Sequence, residues 1–240
     1  MNTNLWSGRW KGREPLGDSH QRARNVISPS GGIMRGKFPS RKNGRMVHHE
    51  GLLELDAIYL LEASPQVARY REQPTTITYP DGERIRRYTP DLEVRLSNGK
   101  VIWIEVKPAR FLQKDEIKHK LDCISAHLKR SNQAFVILTE EVLRQEPRQS
   151  NVRTICHRAA RVRPNADLSR MVMARCAAEL PTTLTLTTQL LACHAVEPYS
   201  LLMAGLLRCD LDQPLSPDTQ LKSAKEADDG WFWIAQEHGF

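Results

Sequence analysis

The chain has 240 residues, 40% hydrophobic and 6% aromatic, with 35 Lys and Arg against 28 Asp and Glu for a net charge of +7. That supports one substantial domain plus a small one and excludes a disordered chain, a collagen and a coiled-coil rod. No stretch approaches the roughly 18 consecutive apolar residues of a membrane span, Met1 to Gly17 holds no apolar signal core, and the five cysteines form no CxxC pair, so a cytoplasmic, reducing setting without membrane, disulfide framework or zinc knuckle is expected.

In chain order, residues 1–35 read as a basic flexible arm. Ten basic residues against Glu14 and Asp18 fall within the first 49 positions, a net of +8, so the other residues sum to −1. A polar segment of that composition orders against a polyanion, and DNA is the expected partner through counterion release at phosphates. Lys37, Arg41, Lys42, Arg45 and His48 are the candidate DNA-binding residues, and His48 and His49 have no further His or Cys at zinc-ligand spacing.

From Glu50 to Ala63, apolar residues at helical spacing predict a helix with one buried face, stopped by Ser64 and Pro65. Residues 75–107 are short β-rich runs separated by Asp81-Gly82 and Asn98-Gly99, which predicts an antiparallel meander. Residues 112–130 return to helical period, and Ala134 to Leu138 form an apolar run suited to a strand covered on both faces. Residues 36–160 therefore predict an α/β domain with a central mixed sheet flanked by helices. Helical pieces over 140–160, a hinge at 161–164, a winged-helix-like, mainly α unit over 165–221 and an acidic-aromatic tail over 222–240 complete the expected organisation. The tail could dock a partner or pack back on its own domain.

The chemistry concentrates in Tyr88-Thr89-Pro90-Asp91 and Ile104-Glu105-Val106-Lys107. A hairpin turning at Asn98-Gly99 brings residues 14 apart face to face, and residues two apart share a face, so Asp91, Glu105 and Lys107 converge. Charged residues amid β-branched neighbours conflict with strand propensity, and such conflicts mark functional sites. Two neighbouring carboxylates repel unless a cation lies between them, and their hard oxygens suit Mg²⁺. With an ammonium beside them, the set is fitted to phosphodiester hydrolysis. The plainer alternative is an exposed strand face carrying a Glu-Lys pair. Lys114, Lys118 and Lys120 on the next helix are either a solvated face or phosphate contacts.

Pro90-Asp91 followed by Glu105-Val106-Lys107 is the PD-(D/E)xK pattern of restriction-type nucleases. Together with Gly36-Lys37-Phe38-Pro39-Ser40, Gly44-Arg45, Val47-His48-His49, Leu53-Glu54-Leu55, Leu60-Leu61-Glu62, Arg71-Glu72-Gln73-Pro74 and Thr89-Pro90-Asp91, the chain resembles TnsA, the endonuclease subunit of heteromeric transposases. The resemblance covers residues 36 to about 140 and implies a restriction-endonuclease-like fold. By the same resemblance, Glu54, Asp91, Glu105 and Lys107 are the catalytic residues, the three carboxylates hold Mg²⁺ (Mn²⁺ substituting), and Glu50 and Gln73 support them. It further implies 5′-strand cleavage of double-stranded DNA at transposon ends, a TnsB-type transposase and a TnsC-type AAA+ regulator as partners, and a nucleoid-associated place in a bacterial cell. Two alternatives stay open: a stand-alone restriction or repair nuclease of the same superfamily, and a DNA-binding assembly subunit with an idle site.

Overall fold

The computed structural model describes residues 20, 22–23, 34–162, 164–224 and 232–240. Most of the expected basic arm and the acidic stretch of the tail, with Trp231, lie outside the described residues. Strands β1 (Gly36–Ser40) and β2 (Arg45–His49) form a hairpin ahead of helix α1 (Leu52–Ala63). Then come β3 (Val67–Glu72), β4 (Ile77–Asp81), β5 (Arg84–Tyr88), β6 (Leu92–Leu96) and β7 (Val101–Val106). Helices α2 (Ala109–Leu112) and α3 (Asp115–Arg130) lead to β8 (Ala134–Leu138), and α4 (Glu140–Leu143) and α5 (Arg148–Arg158) follow.

The central sheet has the order β3-β6-β7-β8, antiparallel except for the parallel pair β7 and β8. It is the mixed sheet expected from the sequence, but the residue 75–107 meander is divided. Among the described residues, strands β4 and β5 pair only with each other, and β3, which lies ahead of the expected meander, takes the place beside β6. Pro90 cannot donate to a ladder, and it sits where the chain leaves the small hairpin for the central sheet.

Each sheet face has its own cover. Leu92, Val94, Ile102 and Ile104 belong to the main core with α1 and α5, whereas Trp103, Phe135 and Ile137 join Leu121, Ile124 and Leu128 of α3 in a second cluster. That second cluster also takes Ile77, Tyr79 and Tyr88, so the β4–β5 hairpin is held to α3 by side chains rather than by a shared ladder. The Asp81 carboxylate at the hairpin turn receives Arg86 at 2.5 Å and sits 2.7 Å from His119 Nε2 on α3.

Helix α1 departs from the expectation of one buried face: all residues from Asp56 to Ala63 are buried. Burial of Asp56 and Glu62 is tolerable because their oxygens are satisfied. Glu62 accepts from Ser40 Oγ (2.8 Å), Tyr70 Oη (2.7 Å) and the backbone N–H groups of Arg41 (2.8 Å) and Lys42 (3.2 Å). Asp56 receives Arg144 at 2.6 Å, Gln149 at 3.2 Å and Arg153.

Beyond α5 lie α6 (Ala166–Cys176), β9 (Thr182–Thr183), α7 (Leu184–Ala192), α8 (Pro198–Met203), β10 (Leu207–Arg208) and β11 (Gln220–Ser223). The three helices and a small antiparallel sheet of order β10-β11-β9 make a mainly α unit with winged-helix-like element order. Its Leu184, Leu201, Leu202 and Leu221 belong to the same buried cluster as Ile58 and Val152, so the two units share one core. Of the tail, residues 232–240 pack back: Phe232 and Phe240 are buried, Trp233 O accepts from Arg148 at 2.9 Å, and His238 O accepts from Lys100 at 3.0 Å.

Replacing Glu62 with Gln puts an amide NH₂ where two of four donors point. The expected cost is about 3 kcal/mol of unfolding free energy. Urea denaturation with an unchanged m-value checks it; a loss below about 1 kcal/mol would show that α1 does not depend on this carboxylate.

Candidate active site

The site forms at the open end of the β6–β7 hairpin. Its turn at Asn98-Gly99 uses φ +87° at Gly99, a conformation that favours glycine. The register pairs Leu92 with Ile104, which sets Asp91 beside Glu105 just past the ladder's last pair. Asp91 Oδ2 accepts the Val106 N–H at 2.8 Å, so the aspartate is tied across the hairpin to the strand that carries Glu105. Glu105 is only 3% exposed; its Oε1 lies 3.0 Å from Lys107 Nζ, and its Oε2 accepts from Tyr88 Oη at 2.7 Å.

Glu54 comes from the first turn of α1, where its Oε2 accepts the Glu50 N–H at 2.7 Å and so closes the start of the helix. Gln73 joins the halves. At φ +44° its N–H donates to Asp91 O at 2.8 Å while its side-chain amide donates to Glu50 Oε1. Glu50, Glu54, Asp91, Glu105 and Lys107 line one cleft, together with Thr76, Arg87, Tyr88, Thr89 and Lys120. The structure thus brings Glu54, Asp91, Glu105 and Lys107, the four expected catalytic residues, to one cleft, with Glu50 beside them and Gln73 bonded to Glu50. Tyr88 was missed as a partner of Glu105, although it stands three residues before Asp91 in the motif itself.

The charges are mutually unfavourable. Burial, with Glu50 and Glu105 nearby, pushes the Glu54 carboxyl up to about 6. Burial, then Glu105 and Glu54, hold Asp91 well above the usual carboxylate range. Burial alone would lower Lys107, but contact with Glu105 and the charges of Asp91 and Glu54 raise it, so it remains an ammonium. Three enclosed carboxylates against one ammonium leave an excess of negative charge that a hard divalent cation fits, and the buried Gln73 Oε1, which has no hydrogen-bond partner among the described residues, is a further oxygen nearby.

The expected DNA-binding residues are corrected in part. Arg41 gives its guanidinium to the carbonyls of Cys156, Ala159 and Ala160 at 2.7–2.8 Å, at the C-terminal end of α5. Lys42 is buried, with Nζ bonded to the carbonyl of Leu61 in the last turn of α1 and to those of Ser64 and Val67 just beyond it. Arg45 forms a two-pronged pair with Glu72. Each cation is engaged by carbonyls or a carboxylate of the fold itself; Lys42 is buried, and Arg41 and Arg45 are half-buried in these contacts. Lys37 is exposed on β1, and His48 beside it is half-buried, its pKa lowered to about 4 by burial and by Arg22, so it is neutral at physiological pH. His49 is lowered by burial too and packs on Gly36, where any Cβ would lie 2.5 Å from its Nε2.

Residues 64–140 match the family described as TnsA-like endonuclease N terminal. Over that segment the chain is similar to the N-terminal domain of TnsA-like endonucleases. The match takes in Gln73, Asp91, Glu105 and Lys107; Glu54 is added by α1 from outside the matched segment. No curated protein matches the chain, and no described helix is long and apolar enough to cross a membrane.

A carboxyl raised from 4.5 to about 6 in the fold binds its proton more tightly there than in the unfolded chain. Its contribution to stability is full below pH 4.5 and lost as pH rises through about 6. Glu54→Gln, which keeps the acceptor for Glu50 N–H, is therefore expected to stabilise the metal-free protein by roughly 1–2 kcal/mol at pH 8 and by nothing at pH 4. Thermal denaturation at both pH values checks this, and equal effects at the two would remove the electrostatic account.

Proposed function

We propose that this chain is a divalent-metal-dependent DNA endonuclease that cuts the 5′ strands at the ends of a mobile element, while a separate TnsB-type transposase cuts and joins the 3′ strands under a TnsC-type AAA+ regulator. A cytoplasmic, nucleoid-associated place follows from that reading. The observation that carries it is the convergence of Asp91, Glu105 and Lys107 on one hairpin end inside the TnsA-like segment, with Glu54 closing the set. Glu54, Asp91 and Glu105 are the residues that would hold Mg²⁺, with Mn²⁺ as substitute. Bound there, the cation would supply Lewis-acid polarisation of the scissile phosphate and a lowered pKa for water.

The chain's own groups do the rest. Tyr88 and Lys107 grip the two oxygens of Glu105 and fix its orientation, and the Val106 N–H does the same for Asp91. Lys107, kept protonated and partly open to the cleft, offers N–H donors to an attacking water or to charge developing on the phosphate. The reaction is hydrolysis: water oxygen joins phosphorus, one ester P–O bond breaks, and the departing oxygen takes a proton.

The test is a complete transposition reaction with the partner transposase, scoring each strand for wild type and Asp91→Ala. Expected is a fall of at least about a hundredfold in 5′ cuts with 3′ cuts retained, which turns simple insertion into a cointegrate-type product. Undiminished 5′ cutting by the variant would remove the site assignment, and full cutting by the wild type without transposase would favour a stand-alone nuclease.

A further inference from the structure

We infer that the β4–β5 hairpin, together with Lys120 of α3, is the arm that grips duplex DNA beside the scissile phosphate. The inference rests on the nuclease reading and names the surface through which the substrate would be held. A cleft lined by Glu54, Asp91 and Glu105 repels the DNA backbone, so cations must stand close by to bring a phosphate in. Arg41, Lys42 and Arg45, next to the site in sequence, are committed to partners inside the fold. Arg87 and Lys120 are exposed and line the same cleft as Asp91 and Lys107. Lys120 Nζ lies 5.4 Å from the centre of the Tyr88 ring, the residue that also holds Glu105.

Strand alternation sorts the rest of β5. Arg86 and Tyr88 lie opposite Tyr79 and Ile77, on the face packed against α3, and Arg86 is paired with Asp81. Ile85 and Arg87 therefore share the other face. Ile85 is 72% exposed, an isoleucine between arginines on a two-stranded ribbon. Apolar side chains flanked by arginine on such ribbons serve nucleic acid by pressing on sugar and base edges while the cations take phosphates. Arg87 and Lys120 thus act on the phosphates flanking the cut, and Ile85 on the groove between them.

The test uses the full chain and a fluorescein-labelled duplex of about 30 base pairs and mixed sequence, with Ca²⁺ in place of Mg²⁺ so that binding is read without cutting, across a range of NaCl. Arg87→Ala combined with Lys120→Ala is expected to weaken binding about tenfold or more and to reduce the slope of log K against log salt by about 1.8, two phosphate contacts' worth. Ile85→Ala should weaken binding and leave the slope unchanged. The control removes an equal charge elsewhere, Arg69→Ala with Arg95→Ala, two exposed residues paired across β3 and β6. It should keep the slope near that of the wild type. An unchanged slope in the Arg87/Lys120 variant, an equal drop in the control, or no binding by the wild type at low salt overturns the arm. Strand cutting by Asp91→Ala in the complete transposition reaction tests the nuclease reading separately: undiminished cutting together with a reduced slope in the Arg87/Lys120 variant would remove the nuclease site and leave the arm.

Discussion

Everything in this fold is arranged around a helix that has no solvent-facing side over its last two turns. Helix α1 is enclosed by the β1–β2 hairpin, the sheet, α5 and α8, so each polar group it carries must be met by something outside it. Glu62 is met by the turn between β1 and β2, Asp56 by α4 and α5, and the terminal carbonyls by Lys42. These contacts fix the helix along its axis and about it. The first turn is the part left open, and there Glu54 reaches the cleft.

The cleft shows the opposite economy. Around α1 every buried charge among the described residues has a partner, whereas Glu54, Asp91 and Glu105 share one ammonium, and burial, then the neighbouring carboxylates, raise the pKa of Glu54 and Asp91. The cluster persists because each member is held separately: Asp91 by a backbone N–H across the hairpin, Glu105 by Tyr88, and Glu54 by the backbone of Glu50. Gln73, in a backbone conformation uncommon for its type, ties the helical half to the strand half. Local repulsion maintained by surrounding structure is the usual condition of a site built to receive an opposite charge.

Much of the site was legible in the sequence because hairpin geometry is local. Asn98-Gly99 sets the turn, period-two alternation sets the faces, and the spacing of Asp91, Glu105 and Lys107 follows. The mixed sheet and the helix over α3 were legible for the same reason. What failed was tertiary. Val67 to Glu72 alternates charge with apolar residues and reads as a connection until β6 is beside it, and the run of β-signals after it hides the change of sheet at Pro90. Arg41, Lys42 and Arg45 have the composition of a phosphate-binding turn, yet they reach to helix ends and to Glu72, partners 19 or more residues away. Charge is a property of residues; availability is a property of packing. Glu62 and Asp56 would have been assigned to a solvated face by helical periodicity alone, since the four elements that cover them lie elsewhere in the chain.

The shared core has a mechanical side. Helix α8 of the C-terminal unit packs directly on α1 and α5, and Leu201 and Leu202 are as deeply buried as Ile58. No solvent layer separates the two units at that seam. Leu201 and Leu202 cannot shift without disturbing the core that encloses α1, so the small unit is part of what holds in place the helix whose first turn carries Glu54, the one cleft carboxylate that the sheet does not itself supply.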